Sequence, residues 1–390
     1  MRRSFLGLTA LATVLLLAAC EGPAGPAGPP GADGADGADG ADGVDGVNAA
    51  ETCSDCHRDD TYLLARQVQY ANSQHGLGIT FERATTPSCA GCHSHEGFVE
   101  RLATGAFPTA GVLNPTPVNC RTCHQVHETY TSGDLALRTE APFNLLVNGV
   151  SIDIGRGNLC AQCHQSNGSV GSPVNTVFTD LVAGTGYPKA VTSSTTRFGP
   201  HHGPQSAVLT KTAGYEFTGE TYGSSSHGNA TNGCVDCHMA APVGNQAGGH
   251  TFRMDFDDHG TKELNVPGCY SSGCHDVNNT PEDDLRADAE TEMAVLWNDL
   301  NADGVLDADP TDGGTLATLK ARLITAGILD GATELAIVSA TLYPADVWGA
   351  LWNYQTVRED RSKGLHNFTY AQKLVSTSIT AMDAYIATLP

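Results

Sequence analysis

Twelve of the 13 cysteines in this 390-residue chain form six pairs, and a histidine directly follows each pair. Two residues separate the cysteines of five pairs, and four residues separate those of the sixth. In chain order the units are motif 1 (Cys53, Cys56, His57), motif 2 (Cys89, Cys92, His93), motif 3 (Cys120, Cys123, His124), motif 4 (Cys160, Cys163, His164), motif 5 (Cys234, Cys237, His238) and motif 6 (Cys269, Cys274, His275). Because each unit fixes three reactive side chains within a few residues, the backbone from residue 53 to residue 275 has to be built around six such sites.

This pattern favours covalently bound haem over zinc or disulfides. Thiols two residues apart lie on one side of a short turn, where they can add to the vinyl groups of a haem while the next imidazole binds the iron as the proximal ligand. A zinc ribbon needs no histidine after each pair, and a disulfide is indifferent to the residue that follows it. With 15 histidines in the chain, six such successions by chance have a probability on the order of 10⁻⁸. The sequence therefore predicts six c-type haems, or five if the wider motif 6 binds none.

Through these motifs, between residues 51 and 276, the chain resembles the multihaem (hexahaem) c-type cytochrome lipoproteins that metal-respiring bacteria use for extracellular electron transfer. Two further stretches add to the resemblance: FGPHHGPQ from Phe198 to Gln205, and SKGLHNFTYA from Ser362 to Ala371. The gap of motif 6 resembles that of cytochromes of the tetrahaem c3 type. The resemblance implies a mostly irregular and α-helical multihaem cytochrome c fold. We expect a loop-rich, haem-packed domain with short helices and a β-hairpin, followed by a C-terminal helical region.

Nine histidines remain beyond the six proximal ones, enough to close six irons with a second imidazole. A closed iron of low potential suits an electron carrier, whereas an open iron suits a reductase. The adjacent His201 and His202 cannot both serve one iron, and at least one is expected to bind. We predict seven candidate distal ligands: His75, His127, His201, His202, His227, His250 and His366. His95 and His259 are interpreted as surface residues.

The N-terminus predicts export and a lipid anchor. Arg2 and Arg3 precede an apolar run too short to span a bilayer, as in a signal peptide over residues 1–19. The run ends in LAAC, which resembles the lipobox of bacterial lipoproteins and implies lipidation of Cys20, while Glu21 fits delivery to the outer membrane. Residues 20–48 hold this cysteine and nine Gly-X-Y triplets, the period of collagen. They are interpreted as an extended tether of roughly 80 Å or as one strand of a three-chain helix.

Two further regions follow, a six-haem domain over residues 49–280 and a C-terminal helical region over 281–390 that contributes distal His366. In the first, Asn148-Gly149 predicts a hairpin within residues 143–154. In the second, helices are predicted over residues 280–300, around residues 316–326, over residues 332–357 with a break at Pro344, and over residues 374–386.

An acidic loop between the first two of these helices resembles a calcium-binding loop. Its oxygen ligands alternate and glycine stands at the sixth position, as in an EF-hand; the candidate ligands are Asp299, Asn301, Asp303 and Asp307. Pro310 stands where an EF-hand has its bidentate glutamate. A calcium ion and a solvated acidic turn are both compatible with the sequence.

A net charge of −22 argues against nucleic acid and anionic lipid surfaces as partners. The predicted partners are other c-type cytochromes or a porin-cytochrome complex, and an extracellular metal oxide or other electron acceptor. We expect an exported lipoprotein at the cell surface of the outer membrane, held through its lipid anchor, with a homo-oligomer or filament left open.

The predicted function is electron transfer, without catalysis, through six mainly bis-His haems between cytochromes and an extracellular acceptor. One rival is a multihaem reductase of nitrite, hydroxylamine or a sulfur oxyanion, because SKGLHN resembles that superfamily as well. Another is the subunit of a cytochrome filament, in which a neighbouring chain supplies a distal histidine.

Overall fold

The structure is a computed structural model that describes residues 61–167, 176–273, 275–297 and 314–390. By backbone contacts the chain divides after Val47, and all described residues lie in the unit Asn48–Pro390. Helices in the described ranges are α1 (Thr61–Ala71), α2 (Gln74–Leu77), α3 (Pro87–His93), α4 (His95–Thr104), α5 (Cys120–Cys123), α6 (Gly157–Ala161), α7 (Thr176–Ala183), α8 (Gln205–Leu209), α9 (Cys234–His238), α10 (Glu282–Leu296), α11 (Gly314–Thr325), α12 (Ala345–Asp360) and α13 (Phe368–Ile386). Short 3₁₀ helices cover Thr80–Thr85, Ser132–Leu135, Ser226–Asn229, Gly249–Thr251 and Val266–Gly273. The strands are β1 (Phe143–Asn144), β2 (Ser151–Ile152), β3 (Lys189–Val191), β4 (Asp255–Asp258), β5 (Thr261–Leu264) and β6 (Ser339–Tyr343).

The described part of this unit is loop-rich, with short helices and small strand pairs, as predicted. The strands form antiparallel pairs, β1 with β2, β3 with β6 and β4 with β5. The predicted hairpin is present, because Phe143 lies opposite Ile152. Gly149 in its turn has a φ of 71°, a conformation that glycine adopts without steric cost.

The main hydrophobic core of the described residues surrounds α12. This helix is buried on every side from Val347 to Val357, as expected of a helix that neighbours enclose completely. The indole of Trp348 donates a hydrogen bond to the Lys189 carbonyl (3.1 Å), and that of Trp352 donates to the Ala213 carbonyl (2.8 Å). Residues before and after position 280 therefore share one core.

Two contacts with Tyr215, one polar and one steric, fix α12 in place. The Asn353 amide accepts a hydrogen bond from the Tyr215 backbone nitrogen (2.7 Å) and donates one to the Tyr215 carbonyl (2.9 Å). A Cβ atom at Gly349 would lie 2.1 Å from the Tyr215 ring, so this close approach requires glycine. The last turn of α12 buries Glu359 and Asp360.

The C-terminal helices largely follow the predicted pattern. Helix α10 begins at Glu282 and ends at Leu296, four residues before the predicted end. Helix α11 buries Leu316, Leu319 and Leu323 completely, and the chain turns at Gly327 with a φ of 75°. Helix α13 covers the last predicted segment.

One predicted helix is wrong in part. The structure has no helix from residue 332 to residue 343; instead β6 pairs with β3, which lies about 150 residues earlier in the chain. The segment then enters α12 directly after Pro344. Pairing with a distant strand overrides the local helix preference of this stretch.

Several predictions fall outside the described residues: the signal peptide, Cys20, the Gly-X-Y spacer, motif 1, Cys274 of motif 6, and the acidic loop with Asp299, Asn301, Asp303 and Asp307. They stay predictions. Within the described ranges, no helix combines the length and apolar character needed to cross a membrane.

Candidate haem-binding site

Each described attachment motif lies on or beside a single helical turn. Motif 2 lies on α3, motif 3 on α5, motif 4 on the end of α6, and motif 5 on α9, while Cys269 of motif 6 lies on the 3₁₀ helix Val266–Gly273. Residues three apart on a helix share one face, so the paired cysteines of motifs 2, 3 and 5 lie side by side. The nine cysteines that the structure describes are all free thiols.

Local sequence accounts for these turns. In α5, the Asn119 side chain accepts a hydrogen bond from the Arg121 nitrogen (3.0 Å), and the Thr122 hydroxyl accepts one from the Asn119 nitrogen (2.9 Å). This reciprocal pair is a capping box, which satisfies donors at a helix start. Helix α3 begins with Pro87, whose fixed φ suits the first helical position.

A continuous cavity of about 1760 Å³ joins the described motifs. It is lined by thiols or imidazoles of motifs 2 to 6, and of motif 3 only Cys123 reaches it. Pockets for a single small ligand usually measure about 300–1,000 Å³. The cavity is therefore large enough for several such molecules.

Five proximal histidines each lie opposite a second histidine. The pairs and their ring-centroid distances are His93 with His201 (6.2 Å), His124 with His250 (6.3 Å), His164 with His75 (6.0 Å), His238 with His366 (6.2 Å) and His275 with His227 (6.5 Å). All five second rings belong to the seven predicted distal ligands. In every pair the two histidines come from separate parts of the chain.

These distances suit a metal ion between the two rings. Metal–imidazole bonds of about 2 Å on opposite sides of one ion place the ring centroids about 6 Å apart. A single pair at this distance would also suit an ordinary edge-to-face contact, but each of the five pairs contains one proximal histidine. The thiols, the paired rings and the cavity together fit c-type haem.

The remaining histidines have other surroundings. The His202 Nδ1 atom lies 2.9 Å from a Glu359 carboxylate oxygen, although His202 also lines the cavity. The His127 ring stacks on Tyr130 at 5.7 Å. His95 contacts the Thr122 hydroxyl at 3.1 Å. The structure thus does not bring His127 or His202 opposite a described proximal histidine.

His259 lies on the surface. Its side chain is 97 % exposed, beside Asp258. Within the described ranges, no group of three or more His, Cys, Asp or Glu side chains is arranged to hold a metal ion by itself.

Burial keeps most of the paired imidazoles neutral. It lowers the pKa to about 4 in four of them: His75, His201, His238 and His250. It also lowers the pKa of His93 and His164. A neutral imidazole is the form that binds a metal, so these rings are ready to act as ligands at neutral pH.

Backbone carbonyls set the tautomer of three paired rings. Nδ1 lies 2.6 Å from the Leu135 oxygen in His124, 2.5 Å from the Leu365 oxygen in His227, and 2.8 Å from the Phe252 oxygen in His238. A carbonyl only accepts hydrogen bonds, so Nδ1 carries the proton in each ring. The Nε2 lone pair is then left free for a metal.

Arg101 is a site residue that the sequence did not indicate. Its buried guanidinium donates to the Cys92 sulfur (3.3 Å) and to the Gln162 carbonyl (2.9 Å), and lies 4.8 Å from the centre of the Phe107 ring. It therefore ties motif 2 to motif 4. A hydrogen bond between the two motifs lowers the pKa of the Cys92 thiol and raises that of Cys163.

Motif 4 also adjoins motifs 3 and 5. A hydrogen bond between Cys160 and Cys234 lowers the pKa of the former and raises that of the latter. Burial, followed by the neighbouring Cys160, raises the pKa of Cys123 to about 12. Motif 6 lies against motif 5, because a Cβ atom at Gly268 would lie 2.8 Å from the Cys237 Cα atom. The described motifs thus form one connected set with motif 4 at its centre.

Phe252 is a second residue that sequence reasoning missed. Its ring lies 5.2 Å from that of His75 and 6.0 Å from that of His250, and its carbonyl accepts the His238 proton. Its backbone is left-handed, with a φ of 58°, and such strain concentrates at functional sites. The sequence signal near Phe252 was the pair of glycines just before His250, because glycine lets the backbone pass close to a ring.

Comparisons with known proteins identify no family. No protein-family model matches the chain, and no curated protein matches it. Among solved structures, the chain is similar to the crystal structure of the outer cell wall cytochrome OcwA, with a TM-score of 0.46 and 20 % sequence identity, over 81 % of this chain and 50 % of that chain. The chain therefore spans about half the length of that protein. A similarity this low carries no argument about function, which has to rest on the chain's own residues.

Proposed function

We propose that this chain is an electron-transfer protein with six covalently bound, mainly bis-His c-type haems, passing electrons between other cytochromes and an extracellular acceptor such as a metal oxide. When bound, each haem supplies an iron that takes up and releases one electron. The observation that carries the proposal is the placement of five proximal histidines opposite five predicted distal histidines. The lipid anchor at Cys20 and a location at the cell surface belong to the same proposal.

The chain's own residues hold and orient these groups. The helical turns present the thiols, and the carbonyls of Leu135, Leu365 and Phe252 orient the imidazoles. A second imidazole on the far side of each described proximal ring leaves no position for a substrate there, which favours a carrier over a reductase. His127 and His202 are the remaining candidates for the second ligand of motif 1.

Haem counting tests the cofactor. The full chain is produced in a host that attaches c-type haem, and the mass of the denatured protein is compared with that of the polypeptide. We expect six haems, and five in a variant with Cys89→Ala and Cys92→Ala. A wild-type protein without covalent haem would overturn the proposal.

Redox assays test the function on the same preparation. The protein is reduced chemically, separated from the reductant, and mixed with a suspended iron(III) oxide or with nitrite. We expect oxidation of the haems by the oxide and no sustained nitrite turnover. Sustained turnover of nitrite would favour the reductase instead.

A further inference from the structure

The partner of His366 differs from those of the other paired rings. Its Nδ1 atom lies 2.7 Å from an Asp360 carboxylate oxygen, whereas three rings face backbone carbonyls. His164 faces the side-chain amide oxygen of Gln205 at 3.2 Å. Among the paired rings in the described ranges, His366 alone is hydrogen-bonded to a carboxylate.

This carboxylate is held in a closed arrangement. The Asp360 side chain is 1 % exposed, and its second oxygen accepts a hydrogen bond from the Ser362 hydroxyl. That hydroxyl also accepts a bond from the His366 backbone nitrogen at 3.2 Å. Arg361, with a φ of 58°, is the C-cap of α12, and Ser362 and His366 after it line the cavity. The seven residues from Asp360 to His366 thus bring the carboxylate, the Ser362 hydroxyl and the imidazole together.

The position of Asp360 is unfavourable by local rules. It ends α12, where the helix dipole favours a cation rather than a carboxylate. A buried charge is also costly unless it is well hydrogen-bonded. Natural chains break such rules mainly at functional sites, so the carboxylate calls for a functional explanation.

We propose that Asp360 is a positioning residue that makes the haem of motif 5 the hardest to reduce among the five whose paired histidines the structure describes. This inference rests on the proposed function. Because the carboxylate accepts the Nδ1 proton, it makes the Nε2 atom of His366 a stronger electron-pair donor to the metal, and it fixes the ring's orientation. A stronger donor stabilises the oxidised iron, so the one-electron reduction of this haem shifts to a more negative potential.

The test is a potentiometric titration of the full holoprotein, followed by visible and EPR spectra. Removing this type of partner typically changes a metal site by about tenfold or more. In Asp360→Asn we expect about one haem equivalent at the negative end of the titration to become about tenfold easier to reduce, a shift of about 59 mV for one electron. Asp360→Glu should restore the more negative potential.

Two further variants complete the design. Asp346→Asn removes a carboxylate at the other end of α12, which accepts a hydrogen bond from the Tyr215 hydroxyl at 2.8 Å rather than facing a histidine, and is expected to leave the titration nearly unchanged. Ser362→Ala removes a donor from Asp360, so the carboxylate binds His366 more strongly and the same haem becomes harder to reduce. If Asp360→Asn does not retain six haems, the titration of Ser362→Ala tests the inference instead.

The inference is overturned if Asp360→Asn retains six low-spin haems and an unchanged titration. It is also overturned if Asp346→Asn produces the same shift, or if Ser362→Ala shifts the potential in the positive direction. These results leave the proposed function standing, because they require a fully loaded protein. Failure of the proposed function would appear earlier, as missing haems in the wild type.

Discussion

The adjacent residues His201 and His202 occupy different environments. The His201 ring lies opposite His93, with a left-handed backbone at a φ of 65°; such strain costs about 1 kcal/mol or more. His202 turns instead to the Glu359 carboxylate. We therefore propose His201, rather than His202, as the second ligand of motif 2.

This assignment predicts different effects of two neighbouring substitutions. His201→Ala removes a ligand, so about one haem equivalent should change from low spin to high spin in the EPR spectrum. His202→Ala is the matched comparison, made like His201→Ala in a chain whose Cys53 and Cys56 are also alanine, and it should leave the irons of motifs 2 to 6 low-spin. Added imidazole should restore the low-spin signal of His201→Ala.

The opposite pattern, with a high-spin iron only in His202→Ala, would show that the assignment is wrong. The sequence could not decide between the two histidines, because two adjacent side chains have the same local pattern. The attachment motifs could be proposed from the sequence because their chemistry is local. Arg101 and Asp360 were not, since their roles depend on contacts that only folding creates.

At the scale of elements, α12 lies at the centre of the main hydrophobic core of the described residues. Trp352 is fully buried and lies 4.8 Å from the Phe178 ring centre and 5.6 Å from that of Phe198. It does not line the cavity. Its role is therefore expected to be stability rather than haem binding.

Trp352→Ala should lower the free energy of unfolding by about 3–5 kcal/mol, as expected for a buried Trp. Denaturant unfolding of the holoprotein measures this loss, and the haem count should not change. Leu342→Ala, at a side chain that is 60 % exposed, is the control and should stay within about 0.5 kcal/mol. Equal losses in the two variants would contradict the role given to α12.

The elements show where sequence reasoning succeeds and where it fails. The hairpin at Asn148-Gly149 and the apolar stripe of α11 were predictable because turn type and helical period are local signals. Strand β6 was not, because its partner Lys189–Val191 lies far away in the chain. The full burial of α12 was also hidden, since its sequence has no amphipathic stripe.

At the scale of the whole molecule, motif 4 lies at the centre of the connected motifs and motif 3 at their edge. Cys160 and Cys163 both line the cavity, whereas Cys120 is exposed. Loss of the haem of motif 4 is expected to leave buried space that the surrounding residues cannot fill completely. The loss of stability should therefore depend on which haem is absent.

Replacing both cysteines of motif 4 by alanine should lower the free energy of unfolding by roughly 2–5 kcal/mol more than the same change in motif 3. Denaturant midpoints of the two five-haem proteins provide the comparison. Equal midpoints would show that motif 4 has no central role in packing. The spatial order of the motifs could not be predicted, because the contacts between motifs 2 and 4 join distant parts of the chain.

The central claim is that two histidines close each iron, so that the chain carries electrons without binding a substrate. Low-temperature EPR of the oxidised full chain, with haems counted on the same sample, tests it most directly. The account predicts six haems and six low-spin irons. A high-spin signal near one haem equivalent would contradict it, because an open iron is the site at which a reductase binds its substrate.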